Sequence, residues 1–134
     1  MNTFLPNAPV ALGVDVYSLR SQPWTPFEYI DYCRMSGASE VHFSELRFLG
    51  NLEPEHLRQV RAHADTRGIR IGVGMRSICP TSKLFDPAQG SAEEQLSRAI
   101  DIAKILGSPI LRAVLVVFLI GLVPSHWRRT SPTQ

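Results

Sequence analysis

Apolar positions along the chain switch between a period of two and a period near 3.6, and the switches fall at prolines and glycines. From Ala11 to Leu19 an apolar, β-branched stretch carrying Val14, Val16 and Tyr17 predicts a first strand, entered from a loop with Pro6, Asn7 and Pro9. Thr25 followed by Pro26 predicts a helix start, an N-cap residue and then a proline whose missing N–H costs nothing in the first turn. Phe27, Ile30 and Cys33 then recur at helical spacing until Gly37. The alternation repeats with a short strand from Glu40 to Glu45 and a helix opened by Pro54, apolar on one face through Leu57, Val60 and Ala64 and closed by Gly68. A third strand is expected from Arg70 to about Met75. After a loop, Ser91 and Glu94 read as a capping box for a helix bearing Leu96, Ala99, Ile100, Ala103 and Leu106, with Gly107 as its C-cap and Pro109 leading into a fourth strand.

Three strand-helix units and a fourth strand, spaced by the roughly 30 residues of a βαβ unit, predict an α/β fold with parallel strands joined by right-handed helical crossovers. A doubly wound sheet and a (β/α) barrel both satisfy this pattern. None of the strand-to-helix turns carries G-x-G-x-x-G or a P-loop, so the sequence gives no sign of a nucleotide site.

Composition narrows the function classes further. The chain is 44% hydrophobic and 19% charged, with a formal net charge of +2, which is a globular composition without the basic excess that nucleic acid demands. Cys33 and Cys79 stand apart, with no CxxC or Cys/His spacing to suggest zinc or a disulfide framework. The first residues show no basic stretch followed by an apolar one, so the expectation is a reduced, cytoplasmic protein.

The segments GVDVYSLR, SEVHFSE, HADTRGIRIGVGM and AKILGSPILRAVL resemble the first four strands of the xylose isomerase-like TIM-barrel superfamily, the sugar phosphate isomerase/epimerase group. The resemblance implies the first half of a (β/α)8 barrel over residues 11–115, after an N-terminal loop at 1–10 and before an atypical tail at 116–134. It also implies metal-assisted proton abstraction next to the carbonyl of a small sugar or sugar acid, with sugar-acid lyase or decarboxylase chemistry as the alternative. Full-length relatives hold a divalent metal on later strands, which are missing from this sequence. No metal ligand and no catalytic residue is therefore carried over, and the expectation is a truncated, inactive fragment that binds no metal.

What the early strands do carry over is a substrate-facing wall. Strand alternation puts Asp15 and Tyr17 on one face of the first strand and His42 and Ser44 on one face of the second. Glu45 ends the second strand, Gly74 and Met75 end the third, and Arg112 lies in the fourth, where its guanidinium can meet a carboxylate, phosphate or enolate oxygen. Plainer roles compete: His42 as a hydrogen-bonded core histidine, Asp15 and Glu45 as loop caps, Tyr17 as packing, and Gly74 as a point of close backbone approach. Trp24 is either a loop aromatic over the pocket or ordinary loop packing.

After Leu115 the sequence VVFLIGLVP is apolar and SHWRRTSPTQ is polar and basic without period. The apolar run from Ala113 to Val123 is shorter than the ~20 residues a membrane span needs, so a membrane partner is not expected. The expected origin of the tail is a change of reading frame near Leu115. The remaining rival is a non-enzymatic half-barrel that self-associates through open sheet edges, the tail strand forming the interface.

Overall fold

The computed structural model describes residues 10–115. Expectations placed on the loop before Val10 and on the tail from residue 116 lie outside the described residues. The elements are β1 (Gly13–Asp15), α1 (Pro26–Met35), β2 (Glu40–Phe43), α2 (Pro54–Thr66), β3 (Arg70–Ser77), α3 (Ala92–Leu106) and β4 (Leu111–Val114), with short 3-10 helices at Val16–Leu19, Leu46–Leu49 and Pro87–Gln89. All strands are parallel and the sheet order is β1-β2-β3-β4.

Side-chain caps start α1 and α3 where the sequence places them, and α2 starts on Pro54 with no side-chain cap bond from Glu53. The Thr25 hydroxyl accepts from the Glu28 amide at 3.3 Å and the Glu28 carboxylate takes the Thr25 amide at 2.7 Å, a complete capping box ahead of α1. At α3 the Ser91 hydroxyl accepts from the Glu94 amide at 3.1 Å, the half of the expected box that forms among the described residues. Gly107 caps α3 with φ +70°, a left-handed conformation that glycine adopts without a Cβ penalty.

The core lies on one side of the sheet. Val41 and Phe43 of β2 and Ile71 and Val73 of β3 pack against Tyr29, Ile30 and Cys33 of α1, Leu57, Val60 and Ala64 of α2, and Ile102, Ala103 and Leu106 of α3, in one cluster. A fully buried side chain such as Phe43, Leu57 or Val60 contributes on the order of 1.5–3 kcal/mol. Among the described residues the strand order is sequential and the crossover helices share one face, without the order reversal and two-sided helix cover of a doubly wound sheet. This is a singly wound α/β layer, the arrangement found in half of a (β/α) barrel.

Four sequence expectations need correction. The first strand ends at Asp15 and the chain turns into a 3-10 helix over Val16–Leu19, because the Asp15 carboxylate accepts the Tyr17 amide at 2.9 Å; Asp15 and Tyr17 therefore do not share a strand face. β2 ends at Phe43, leaving Ser44 and Glu45 just beyond it. β3 runs on to Ser77, past Met75. On α3, Ile100 is exposed and Ile102 takes the buried position. Among the described residues no helix is long and apolar enough to cross a membrane.

Candidate functional site

Pleating sends the residues between the core positions to the sheet face that carries no helix among the described residues. Asp15, His42 and Gly72 stand in one register row across β1, β2 and β3, and Gly74 pairs with Arg112 of β4. On this face β3 offers glycine at both 72 and 74. A Cβ at Gly72 would come within 2.7 Å of His42 Nδ1, and one at Gly74 within 2.7 Å of the Ser44 carbonyl oxygen. The middle strand is bare, and a long side chain from β4 can lie over it.

Arg112 does so. Its Nε donates to His42 Nε2 at 3.3 Å and its Nη2 donates to the Ser44 carbonyl at 3.1 Å, so a β4 guanidinium is tied to β2 across β3. Because His42 Nε2 accepts, the imidazole proton resides on Nδ1. Burial holds the His42 pKa below the ordinary histidine value; the nearby Asp15 carboxylate opposes this shift and the Arg112 charge reinforces it. His42 is thus the neutral acceptor the arginine needs. The remaining Arg112 N–H groups, both of those on Nη1 among them, have no protein acceptor among the described residues.

Ser44 sits beside this contact and is 2% exposed, yet its hydroxyl has no hydrogen-bond partner among the described residues. Leaving a buried hydroxyl unpaired costs on the order of 1–3 kcal/mol, so the group calls for a partner such as a water or a ligand oxygen.

These residues open onto a cleft of about 620 Å³ at the C-terminal ends of the strands, lined by Asp15, Tyr17, Ser44, Glu45, Arg47, Met75, Arg76, Leu84, Arg112 and Val114. Of the wall residues expected from the sequence, all line the cleft except Gly74 and His42, and His42 is hydrogen-bonded to Arg112. Sequence reasoning missed Arg47, Arg76, Leu84 and Val114. Arg76 was not legible from alternation, because the β3–β4 register shifts between Gly74 and Ser77 and brings both Met75 and Arg76 to the cleft. A second cavity of about 370 Å³ shares Glu45, Arg47, Met75, Arg76 and Leu84 with the cleft and continues it toward α3. Trp24 lies elsewhere, in a third cavity, where its ring packs on Tyr29 and Tyr32 at 5.7 and 5.4 Å between centroids.

The charge pattern favours an anion. The cleft holds the guanidiniums of Arg47, Arg76 and Arg112 against the carboxylates of Asp15 and Glu45. Glu45 is paired to Arg47 at 2.6 Å, while Arg76 makes no ion pair among the described residues. Asp15 accepts the Tyr17 amide and Glu45 pairs with Arg47, and among the described residues no three His, Cys, Asp or Glu side chains gather closely enough to hold a metal. Comparison of the chain with protein-family models, with curated proteins and with solved structures gave no match.

Proposed function

We propose that residues 11–115 form the first half of a (β/α)8 barrel of the sugar phosphate isomerase/epimerase type, and that the cleft at the strand ends is its substrate wall, binding a small sugar or sugar acid. Two things support this reading: the sequence resemblance across the four strands, and a singly wound sheet whose bare face and C-terminal strand ends gather the expected polar residues. The observation that carries it is the Arg112 side chain laid across the glycines of β3 onto His42 and Ser44, because it builds a polar, preorganised wall where such barrels bind substrate.

In this reading the chain's own residues bind and orient. Arg112 and Arg76 face the polar substrate, Tyr17 and Met75 bound the cleft, and proton abstraction next to the carbonyl belongs to groups on later strands. His42 is already engaged with Arg112 and is not assigned as a base. The test is a two-dimensional amide NMR titration of the full chain with pentoses, hexoses and their acids. Saturable shifts at Ser44, Glu45, Arg76 and Arg112 are expected. Absence of saturable shifts, or shifts confined to the helical face, refutes the reading.

A second reading is favoured by the sheet edges. Within the described residues β1 and β4 each pair on one side only, and Val10 and Leu12 beside β1 and Ile110 and Leu115 beside β4 are exposed. Two copies pairing at these edges would make a non-enzymatic assembly. Light scattering after gel filtration that reports a discrete dimer supports it; a monomer at all concentrations removes it.

A further inference from the structure

We infer that Arg112, Arg76 and the Ser44 hydroxyl form an oxyanion subsite that takes a carboxylate or phosphate group of the substrate, with His42 as the residue that positions Arg112. The inference rests on the sugar-binding reading of the cleft and narrows it to acidic substrates.

Three independent observations converge. Arg112 is held by only part of its donor fork: Nε is spent on His42 and one Nη2 N–H on the Ser44 carbonyl, so the Nη1 edge keeps donors for a planar or tetrahedral oxyanion. The Ser44 hydroxyl belongs to a residue lining the same cleft, is buried and unpartnered among the described residues, and can donate to an oxygen without giving up any bond it now makes. Arg76 lines the same cleft and has no carboxylate partner among the described residues. Asp15 is the one carboxylate in the cleft not held by an arginine, and it would repel an anion. Its oxygen faces the Tyr17 amide, and two guanidiniums outweigh it.

The role of His42 follows from the direction of the hydrogen bond. Only an unprotonated Nε2 can accept from Arg112 Nε, and a protonated ring would place two cations side by side. The charged groups facing His42 are Asp15 from β1 and Arg112 from β4, while Gly72 of β3 contributes none. His42 touches no ligand in this arrangement. It acts through the arginine.

The test compares D-gluconate with D-glucitol, which share a carbon skeleton and differ in carboxylate against hydroxymethyl, by NMR titration of the full chain at amide and arginine Nε resonances. Inorganic phosphate is the third probe. Gluconate is expected to shift Arg112 Nε and the Ser44 amide and to bind at least tenfold more tightly than glucitol. Arg76→Gln, an exposed change, should weaken gluconate several-fold with the spectrum otherwise unchanged. His42→Leu should weaken it several-fold, while His42→Gln, which keeps an acceptor oxygen, should recover most of the loss. Phosphate binding without gluconate binding keeps the subsite and identifies the group it takes as a phosphate ester. Equal binding of gluconate and glucitol overturns the oxyanion subsite and leaves the sugar-binding reading standing. Failure of all three probes to bind overturns both.

Discussion

Replacing Gly74 by alanine challenges the bare middle strand most directly. The new Cβ would lie 2.7 Å from the Ser44 carbonyl oxygen, 3.0 Å from Ser44 Cα and 3.1 Å from its carbonyl carbon. All three are backbone atoms, which cannot swing aside without opening the β2–β3 ladder. Overpacking of this kind costs about 1–3 kcal/mol, and the stiffer unfolded chain that alanine brings offsets roughly 0.4–1 kcal/mol of it. A net loss of about 1.3 kcal/mol follows at the centre of these ranges, and with a urea dependence of about 2 kcal/mol per molar the unfolding midpoint falls by roughly 0.6 M. Gly72→Ala is the control. Its Cβ would meet His42 Nδ1 at 2.7 Å, a side-chain atom that can rotate away, so the stability loss is smaller while Arg112 loses its acceptor. The assay is urea unfolding by far-ultraviolet circular dichroism, paired with the Arg112 Nε resonance. A wild-type midpoint for Gly74→Ala, or a larger loss for Gly72→Ala than for Gly74→Ala, refutes the reasoning.

Other consequences are open to direct measurement. Because the folded His42 pKa is depressed, its contribution to the pH dependence of stability is nil well above the unfolded value of about 6.5, and stability is lost as pH falls through that value until the folded imidazole takes the proton; unfolding midpoints measured from pH 8 downward should show this slope, and His42→Leu should flatten it. Thr25→Ala removes the hydroxyl of the α1 capping box and should cost about 1 kcal/mol in urea unfolding; an unchanged midpoint would mean that Glu28 and Pro26 suffice to start the helix. Cys79, whose thiol pKa is lowered by hydrogen bonding to Thr81, should react with iodoacetamide well before Cys33, which is fully buried and whose pKa is raised by that burial; equal rates on a timed mass-spectrometric series would contradict the burial of α1 against the sheet.

Much of this architecture can be read from local signals. Thr25-Pro26, Pro54 and Ser91 mark the helix starts because capping is local chemistry, and Leu57, Val60 and Ala64 identify a buried face because a 3.6 period survives in any context. The errors fall where a short-range bond overrides a hydrophobic pattern. Val16 and Tyr17 look like strand residues, but the Asp15 carboxylate captures the Tyr17 amide and winds the chain into a 3-10 turn. Ile100 and Ile102 both fit an apolar helix, and only the position of α3 on the sheet decides which is covered. In the cleft, Asp15, Ser44, Glu45, Met75 and Arg112 could be nominated from strand faces and strand ends. Their arrangement could not, since it depends on Arg112 finding no side chains above β3, a property of two glycines on a different strand.

The bare strand also shapes how this region can change over time. His42, Gly72, Gly74 and Arg112 act as one unit although the two hydrogen bonds of Arg112 reach partners 70 and 68 residues away in the chain. A bulkier residue at 72 or 74 strands the arginine, and loss of the arginine removes a reason to keep Gly72, whereas Gly74 is still required by the Ser44 backbone. Substitutions among the four are therefore expected to be strongly non-additive. Lineages that abandon the arginine should be free to refill position 72, while position 74 should stay glycine in both, held by the Ser44 backbone.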